Sequence, residues 1–274
     1  MTDDMNHERY LSRIGVEPSR ALARDRETLE RLQRAHVTAV PFETLSITGD
    51  PHGDREGEGV SLALSDLYEK IVDRERGGFC YELNGLFGWL LDELGFDVDR
   101  LSARIANDDG TFGPPADHLV LRVSLDRPYL VDVGLGLPKL RRPVPMDGTT
   151  RSDAAGVEWC VVESERPDAD HVTRYRRSDA DDWQDRYIFR TVPRELRYFE
   201  ATCEYFQTAP DSAFTGDPVV LVATERGYVK LTPDMLTRAT ESDERERPVE
   251  PSEWHDVLER EFGLRYPSDR PNSP

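Results

Sequence analysis

The chain has 274 residues, of which 37% are hydrophobic, and it contains 10 Phe, 10 Tyr and 4 Trp. That aromatic content excludes a disordered chain, and the length fits two or three packed subdomains. The longest apolar runs, such as residues 131–137, are far shorter than the roughly 20 residues needed to cross a bilayer, and the first residues lack the basic and apolar regions of an export signal. We therefore expect a soluble, cytoplasmic, globular protein.

The charge balance is strongly acidic. Asp and Glu number 54 against 35 Lys and Arg, which gives a net charge of −19, and only three of the basic residues are lysines. A charge of this size repels phosphate backbones and anionic lipids, so it excludes nucleic acid and membranes as expected partners. Such a surface is typical of proteins kept soluble in a salt-rich cytoplasm, where the screening length is roughly 3 Å at 1 M salt. We interpret the acidity as an adaptation to the medium.

The three cysteines, Cys80, Cys160 and Cys203, lie far apart, with no CxxC pair and no nearby pair of histidines. This spacing excludes a disulfide framework and a common zinc site, and we expect no metal. Cys160 and Cys203 stand among apolar residues and are interpreted as core. The sequence leaves the oligomeric state open.

Helices dominate the first third of the sequence. Apolar residues at helical spacing predict a helix over residues 26–40, ended by Pro41, and a short one over residues 64–72. A third helix begins near Cys80 and carries leucines at helical spacing to Leu94. Gly95 stands where a left-handed C-terminal cap belongs.

Strands follow from residue 98 onward, where apolar and polar residues alternate. The predicted strands cover residues 101–105, 119–125, 129–133, 157–162, 187–189, 219–223 and 228–231. The acidic stretch 241–250 reads as a solvated loop, residues 253–262 as a last helix and residues 267–274 as a mobile tail. Helices followed by antiparallel strands and a mixed region indicate an α+β fold.

Cys80 differs from the other two thiols because it follows two glycines and opens an amphipathic helix. Unpaired backbone N–H groups and the dipole at a helix start stabilise a thiolate and also an oxyanion, and glycines let a substrate approach closely. The alternative is a small buried residue after a tight turn. A base within reach would distinguish the two.

His118 is the candidate base, and Asp132 is its candidate partner. Asp132 lies inside the apolar run 129–134, where a carboxylate is costly unless it is paired. A histidine on the neighbouring strand supplies that pairing, and the carboxylate would orient the imidazole as the third member of a triad does.

The hairpin register between these two residues stays open. A loop centred on Leu125 places His118 opposite Asp132, whereas the turn signal at residues 126–128 suggests a centre near Arg127, which pairs Asp132 with Arg122. A two-residue loop would move Asp132 to the other face. Spacing therefore permits the contact between Asp132 and His118 without proving it.

Three motifs carry a resemblance to a known family. They are RGGFCYELNGLF at residues 76–87, DHLVL at 117–121 and VDVGLG at 131–136. Weaker support comes from YLSRIG at 10–15, His36 with PFETL at 41–45, and TAPDSAF at 208–214. In this order, over most of the chain, they resemble the arylamine N-acetyltransferase family.

The resemblance implies a helical domain over residues 1–96, an antiparallel β-barrel domain over 97–195 and an α/β lid over 196–274, with a papain-like Cys-His-Asp core. It implies ping-pong transfer of an acetyl group from acetyl-CoA, the co-substrate, to an arylamine or arylhydrazine, with no permanently bound cofactor. Carried over to this chain, Cys80 accepts the acetyl group, His118 is the base and Asp132 orients it.

The resemblance also assigns binding residues. Phe42, Phe79, Leu135 and Phe214 are expected to contact the acceptor, and Gly134 and Gly136 the CoA. Two positions depart from the family pattern: Thr44 stands where Asn is usual, and Leu135 replaces an aromatic residue, which removes ring stacking at that wall.

Other functions remain possible for the same motifs. A macrocycle-closing amide synthase, a thiol hydrolase or transglutaminase-like enzyme, and an inactive binding module are the alternatives. The arginine cluster at 174–177 could meet CoA phosphates, but pairing with the acidic residues 179–182 is the favoured interpretation. The remaining histidines are not assigned to a site.

Overall fold

A computed structural model describes residues 5–17 and 22–266 of the chain. Its α-helices, in chain order, are α1 His7–Arg13, α2 Arg26–Ala39, α3 Leu45–Thr48, α4 Leu64–Tyr68, α5 Cys80–Glu93, α6 Glu200–Thr208 and α7 Trp254–Phe262. A π-helical turn at Glu69–Asp73 continues α4, and short 3₁₀ turns at Leu196–Phe199 and Pro251–Glu253 precede α6 and α7. No helix in these described ranges is both long and apolar enough to cross a membrane.

The strands form two antiparallel sheets. In chain order they are β1 Phe42–Glu43, β2 Asp97–Ile105, β3 His118–Ser124, β4 Pro128–Val131, β5 Val144–Pro145, β6 Arg151–Ser152, β7 Val157–Glu163, β8 His171–Arg177, β9 Gln184–Phe189, β10 Val220–Ala223, β11 Gly227–Leu231, β12 Met235–Thr240 and β13 Glu244–Pro248. The larger sheet has the order β5-β4-β3-β2-β9-β8-β7-β6, and the smaller one β1-β10-β11-β12-β13.

The larger sheet curls into a nearly closed barrel. Just after β5, the N–H of Gly148 donates to the carbonyl of Val161 on β7, which brings the two ends of the sheet together. Alternate residues such as Leu101 and Val120 face an apolar interior. Leu119 and Leu121 point the other way and pack in one core with the leucines of α5. Strand β3 therefore lies between the barrel interior and the helices.

Most predicted elements are confirmed, including the helix predicted over residues 26–40, which ends at Ala39, and the left-handed Gly95, whose φ is +80°. The prediction of a loop over 241–250 was wrong, since Glu244–Pro248 pairs with β12 as an edge strand. All five of its side chains are exposed, so no apolar alternation marks it. The tail at 267–274 lies outside the described residues.

Both predicted registers of the β3–β4 hairpin were wrong. Leu121 pairs with Val131 and Ser124 with Pro128, so the hairpin is centred on Asp126. A three-residue loop, in which the N–H of Leu125 donates to the carbonyl of Arg127, accounts for this centre. Asp132, one residue beyond β4, keeps the face of β3 that carries His118.

The smaller sheet combines distant parts of the chain. Strand β1 pairs with β10, and Phe42 also bridges to Gly78, so the segment before Cys80 is attached to the C-terminal sheet. On that sheet, α7 buries Trp254 and Leu258 against β10 and β11. The predicted domain boundaries at residues 96 and 195 stay a prediction.

Candidate active site

Cys80 is the first residue of α5, as predicted, and it is only 3% exposed. The helix start is capped by Glu82, whose Oε2 accepts the N–H of Phe79 at 3.0 Å. A Cβ at Gly77 would lie 2.2 Å from the carbonyl oxygen of Pro41, and one at Gly78 would lie 2.8 Å from Glu82. The two glycines are therefore required by the protein's own packing, and the prediction that they open space for a substrate gains no support.

A buried ionic network supports the segment that leads into α5. Lys70 donates to Oε1 of Glu82 at 2.7 Å and lies 3.7 Å from Glu43, while Arg76 donates to Glu43 at 2.8 Å. All four side chains are nearly inaccessible to solvent. Each charge has an opposite partner, which offsets part of the cost of burial. The network fixes the chain on either side of the two glycines.

The surroundings of Cys80 favour the neutral thiol. Burial is the largest cause that raises its pKa well above the usual value, and the negative charge of Asp132 adds to it. The N–H of Tyr81 at the helix start lowers the pKa, as predicted, but this effect is smaller. Burial and the charge of Asp132 therefore outweigh the N–H groups of the helix start, so a base is needed to remove the proton.

His118 and Asp132 form the predicted contact. Nε2 of His118 lies 2.7 Å from Oδ2 of Asp132, and both side chains are buried. Because this nitrogen donates to the carboxylate, Nδ1 is left free to act as the base. Burial on its own would raise the pKa of Asp132. The charge and hydrogen bond of His118, with bonds from Asn84 and Gly134, outweigh burial and hold that pKa below its usual value.

Asn84 joins this pair to the helix of Cys80, a role that the sequence did not reveal. Its Nδ2 donates to Oδ1 of Asp132 at 2.8 Å and to the carbonyl of Leu119 at 2.7 Å, while its Oδ1 accepts the N–H of Val133 at 2.8 Å. The available signal was the spacing of four residues from Cys80, which places both on one face of α5. Asn84 is a positioning residue for the carboxylate.

Gly134 packs directly against the start of α5. A Cβ there would lie 2.7 Å from both Cα and O of Cys80, and the Gly134 N–H donates to Oδ1 of Asp132 at 3.0 Å. Within the described part of the chain, no hydrogen bond joins the thiol to the His118 ring. The two are brought into one site by Asn84, Asp132 and Gly134.

Three of the four predicted acceptor residues cluster together. The ring of Phe214 lies 5.5 Å from that of Phe79 and 6.4 Å from that of Phe42, measured between centroids. Leu135 is placed elsewhere, in the barrel interior with Leu101 and other core residues. A Cβ at Gly136 would have Arg186 as its nearest neighbour, at 3.9 Å.

The other two cysteines and the arginine cluster are not part of this aromatic cluster. Cys160 and Cys203 are buried, as expected. Arg174 pairs with Asp185, and Arg176 pairs with Glu158. These arginines therefore form ion pairs as predicted, but their partners are not the predicted acidic residues 179–182. Among the described residues, no group of three or more His, Cys, Asp or Glu is arranged to hold a metal ion.

Comparison with known proteins identifies the family. A family model described as N-acetyltransferase matches residues 25–270. The arylamine N-acetyltransferase of Mycolicibacterium smegmatis is 33% identical over 269 residues, which cover 93% of this chain and 90% of that protein. The chain belongs to the arylamine N-acetyltransferase family. The prediction of an acyltransferase of this family is thereby confirmed.

Solved structures of the family share the architecture. NAT3 from Bacillus cereus, described with a Cys-His-Glu catalytic triad, has a TM-score of 0.85 at 24% identity and covers 95% of this chain and 100% of that one. The Mycobacterium marinum arylamine N-acetyltransferase, solved in complex with CoA, has a TM-score of 0.78 at 29% identity and covers 94% and 93%. The predicted combination of helices with a barrel-like antiparallel sheet is confirmed.

Gly134→Ala tests the close packing of Gly134 against the backbone of Cys80. The added methyl group meets the backbone of Cys80, which cannot move without shifting α5, so we expect kcat to fall at least tenfold and stability to fall by about 1–3 kcal/mol. Gly216→Ala is the matched control, since its methyl group meets nothing within 4 Å. Steady-state kinetics and urea unfolding of both variants make the comparison. Equal behaviour of the two would contradict the packing argument.

Proposed function

We propose that this protein transfers the acetyl group of acetyl-CoA to an arylamine or arylhydrazine in two half-reactions, through an acetyl thioester on Cys80. The observation that carries this proposal is the buried His118–Asp132 pair, which Asn84 ties to the helix that begins at Cys80. The assignment of arylamines rests on family membership. The use of acetyl-CoA is supported by the CoA complex of the Mycobacterium marinum enzyme.

In the first half-reaction the base and the nucleophile act together. Nδ1 of His118 takes the proton from Sγ of Cys80 as the sulfur attacks the thioester carbonyl of acetyl-CoA. The resulting oxyanion is stabilised by backbone N–H groups at the start of α5. When the tetrahedral intermediate collapses, the C–S bond to CoA breaks, and the imidazolium returns its proton to the departing CoA sulfur.

In the second half-reaction the acceptor amine is the nucleophile. Its nitrogen attacks the acetyl-Cys80 carbonyl, His118 accepts a proton from that nitrogen, and the C–S bond to Cys80 breaks. The proton then returns to the Cys80 sulfur, which restores the neutral thiol that burial favours. The thiol and the imidazole must close to hydrogen-bond distance once a substrate is bound, as catalytic contacts often do.

The role of Cys80 is tested by isolating the intermediate. We expect acetyl-CoA alone to add one acetyl group to the protein, located on Cys80 by peptide mass spectrometry, and an arylamine to remove it as the N-acetyl product. Cys80→Ala should abolish labelling, whereas Cys203→Ala, which removes another buried thiol, should leave it intact. Loss of the acetyl group to water at a rate that the amine does not change would instead identify a thiol hydrolase.

A further inference from the structure

Arg186 on β9 carries a positive charge that no group in the described part of the chain pairs. The residue is half-buried, its Nε is inaccessible to solvent, and within the described residues none of its side-chain nitrogens makes a hydrogen bond or an ion pair. Other arginines of the same sheet, Arg104 on β2, Arg122 on β3 and Arg174 on β8, each pair with a carboxylate. A guanidinium partly removed from water without a partner is costly, so Arg186 calls for a functional explanation.

A β-bulge determines where this side chain lies. The register between β8 and β9 shifts after Thr173, which pairs with Tyr187, so Arg186 has no Cα partner on β8. On the other side of β9, the carbonyl of Arg186 accepts the N–H of Ala106, which fixes its backbone. Bulges turn a side chain away from the regular alternation of a strand, and they are common next to active sites.

The guanidinium lies beside the candidate active site. Its Nη2 would be 3.9 Å from a Cβ at Gly136, two residues beyond Gly134, which packs against the start of α5. Burial lowers the pKa of Arg186, and the negative charges of Asp132 and Asp117 oppose this shift without forming an ion pair with it. A guanidinium stays protonated at neutral pH in such surroundings. A fixed positive charge therefore faces the site.

The position of Arg186 points to the acyl donor. The rings expected to contact the acceptor, Phe42, Phe79 and Phe214, pack in the core that contains α5, whereas Arg186 comes from a barrel strand. The resemblance assigns its neighbour Gly136 to CoA. The long pantetheine arm separates the phosphates of CoA from the thioester, but a carboxylate at the end of a short acyl group stays within a few bonds of it. The planar fork of a guanidinium matches a carboxylate.

We propose that Arg186 admits acyl-CoA donors whose acyl group ends in a carboxylate, such as malonyl-CoA, besides acetyl-CoA. This inference rests on the proposed function and extends its donor class. The steps of the first half-reaction are unchanged: a bond forms between Sγ of Cys80 and the thioester carbonyl carbon, the C–S bond to CoA breaks, and the thiol proton ends on the CoA sulfur. The free carboxylate takes no part in these steps and accepts N–H groups of the guanidinium.

Two carboxylates near the site make this cation necessary for such a donor. Without Arg186, a carboxylate on the acyl group would face the negative charges of Asp132 and Asp117, and repulsion between like charges is strong where water is largely excluded. Arg186 offsets this repulsion and adds charge-assisted hydrogen bonds. A neutral acyl group gains nothing from either effect. Arg186 should therefore set the preference between anionic and neutral donors.

The test measures acylation of Cys80 in the absence of an acceptor. Malonyl-CoA and butyryl-CoA, a neutral donor of similar length, are mixed rapidly with the protein, and intact-protein mass spectrometry follows the bound acyl group. We expect malonyl-CoA to acylate the wild type. In Arg186→Met the ratio of the two acylation rate constants, malonyl over butyryl, should fall roughly 10- to 100-fold. Arg186→Lys keeps the charge without the fork and should lower the ratio less, and Arg186→Gln is a further variant should the methionine variant fold poorly. Arg245→Met, which removes an exposed arginine of β13, should match wild type.

The ratio separates donor selection from other roles of Arg186. An effect of Arg186 on the His118–Asp132 pair falls on both donors and cancels. An unchanged ratio in Arg186→Met, or equal losses with both donors, would refute the inference. It would also be refuted, with the proposed function left intact, by a wild type that acetyl-CoA labels at Cys80 and malonyl-CoA does not. If neither donor labels Cys80, the proposed function itself fails.

Discussion

Asp132→Asn is expected to lower kcat/KM for arylamine acetylation by about 10³- to 10⁴-fold, mainly through kcat. In the wild type, Oδ1 of Asp132 accepts from Asn84 and Gly134, and Oδ2 faces Nε2 of His118. The two donors at Oδ1 would keep the carbonyl oxygen of the new asparagine on their side. Its amide would then donate to Nε2, moving the ring proton to Nδ1, where the base is needed.

This substitution also separates the effect of Asp132 on the pKa of the Cys80 thiol from its effect on the tautomer of His118. The charge of Asp132 raises the pKa of the thiol, second only to burial, so removing that charge alone makes the thiolate easier to form. If the ease of forming a thiolate limited the rate, Asp132→Asn would be faster than wild type. We expect it to be much slower because the carboxylate acts by holding His118 in the tautomer that accepts the proton.

Kinetics of both half-reactions check this prediction. Rapid mixing with acetyl-CoA measures acetylation of Cys80, and steady-state turnover with an arylamine measures the whole cycle. Asp153→Asn is the matched control, since it changes another largely inaccessible carboxylate that pairs with Arg141 away from Cys80. A loss below tenfold in Asp132→Asn, or a similar loss in the control, would contradict the assigned role.

The sequence singles out the candidate reactive groups because their surroundings are unusual. A carboxylate inside the apolar run around Asp132 needs a partner, and a cysteine after two glycines at a helix start is unusual. The register that joins Asp132 to His118 was not predictable, since a loop one residue shorter or longer changes the pairing and the turn signal covers several centres. The hairpin is centred on Asp126, between the two centres that the sequence suggests, Leu125 and Arg127.

Other features left no local signal. Asn84 and Gly134 act through contacts between residues about 50 positions apart, which periodicity does not report. Strand β13 is an exposed edge strand without an apolar face, so its charged sequence resembles a loop. The sequence thus predicts chemistry more readily than it predicts the positions of these supporting residues.

Arg76→Met is expected to lower the free energy of unfolding by about 3–5 kcal/mol at neutral pH, because among the described residues it leaves the fully buried Glu43 with Lys70 as its only nearby cation, 3.7 Å away. Urea unfolding measures the loss. Arg174→Met, which breaks a half-exposed pair with Asp185, should cost far less. Adding Glu43→Gln to Arg76→Met should recover part of the stability, whereas losses that simply add would show that the two side chains are not coupled.

The pH dependence of that loss follows from Glu43. Burial alone would raise its pKa, but Arg76 and Lys70 hold it at about 2, below the ordinary 4.5. A carboxyl with a lowered pKa stabilises the fold above its unfolded pKa and loses this contribution as the pH falls toward the folded one. Without Arg76, burial should raise the pKa of Glu43 in the folded variant. The penalty of Arg76→Met should therefore be largest at neutral pH and shrink as the pH falls toward 2, where Glu43 is protonated in both proteins. A penalty that does not change with pH would mean that Arg76 stabilises the fold mainly through its packing on Tyr266, whose ring centroid lies 4.7 Å from the guanidinium carbon.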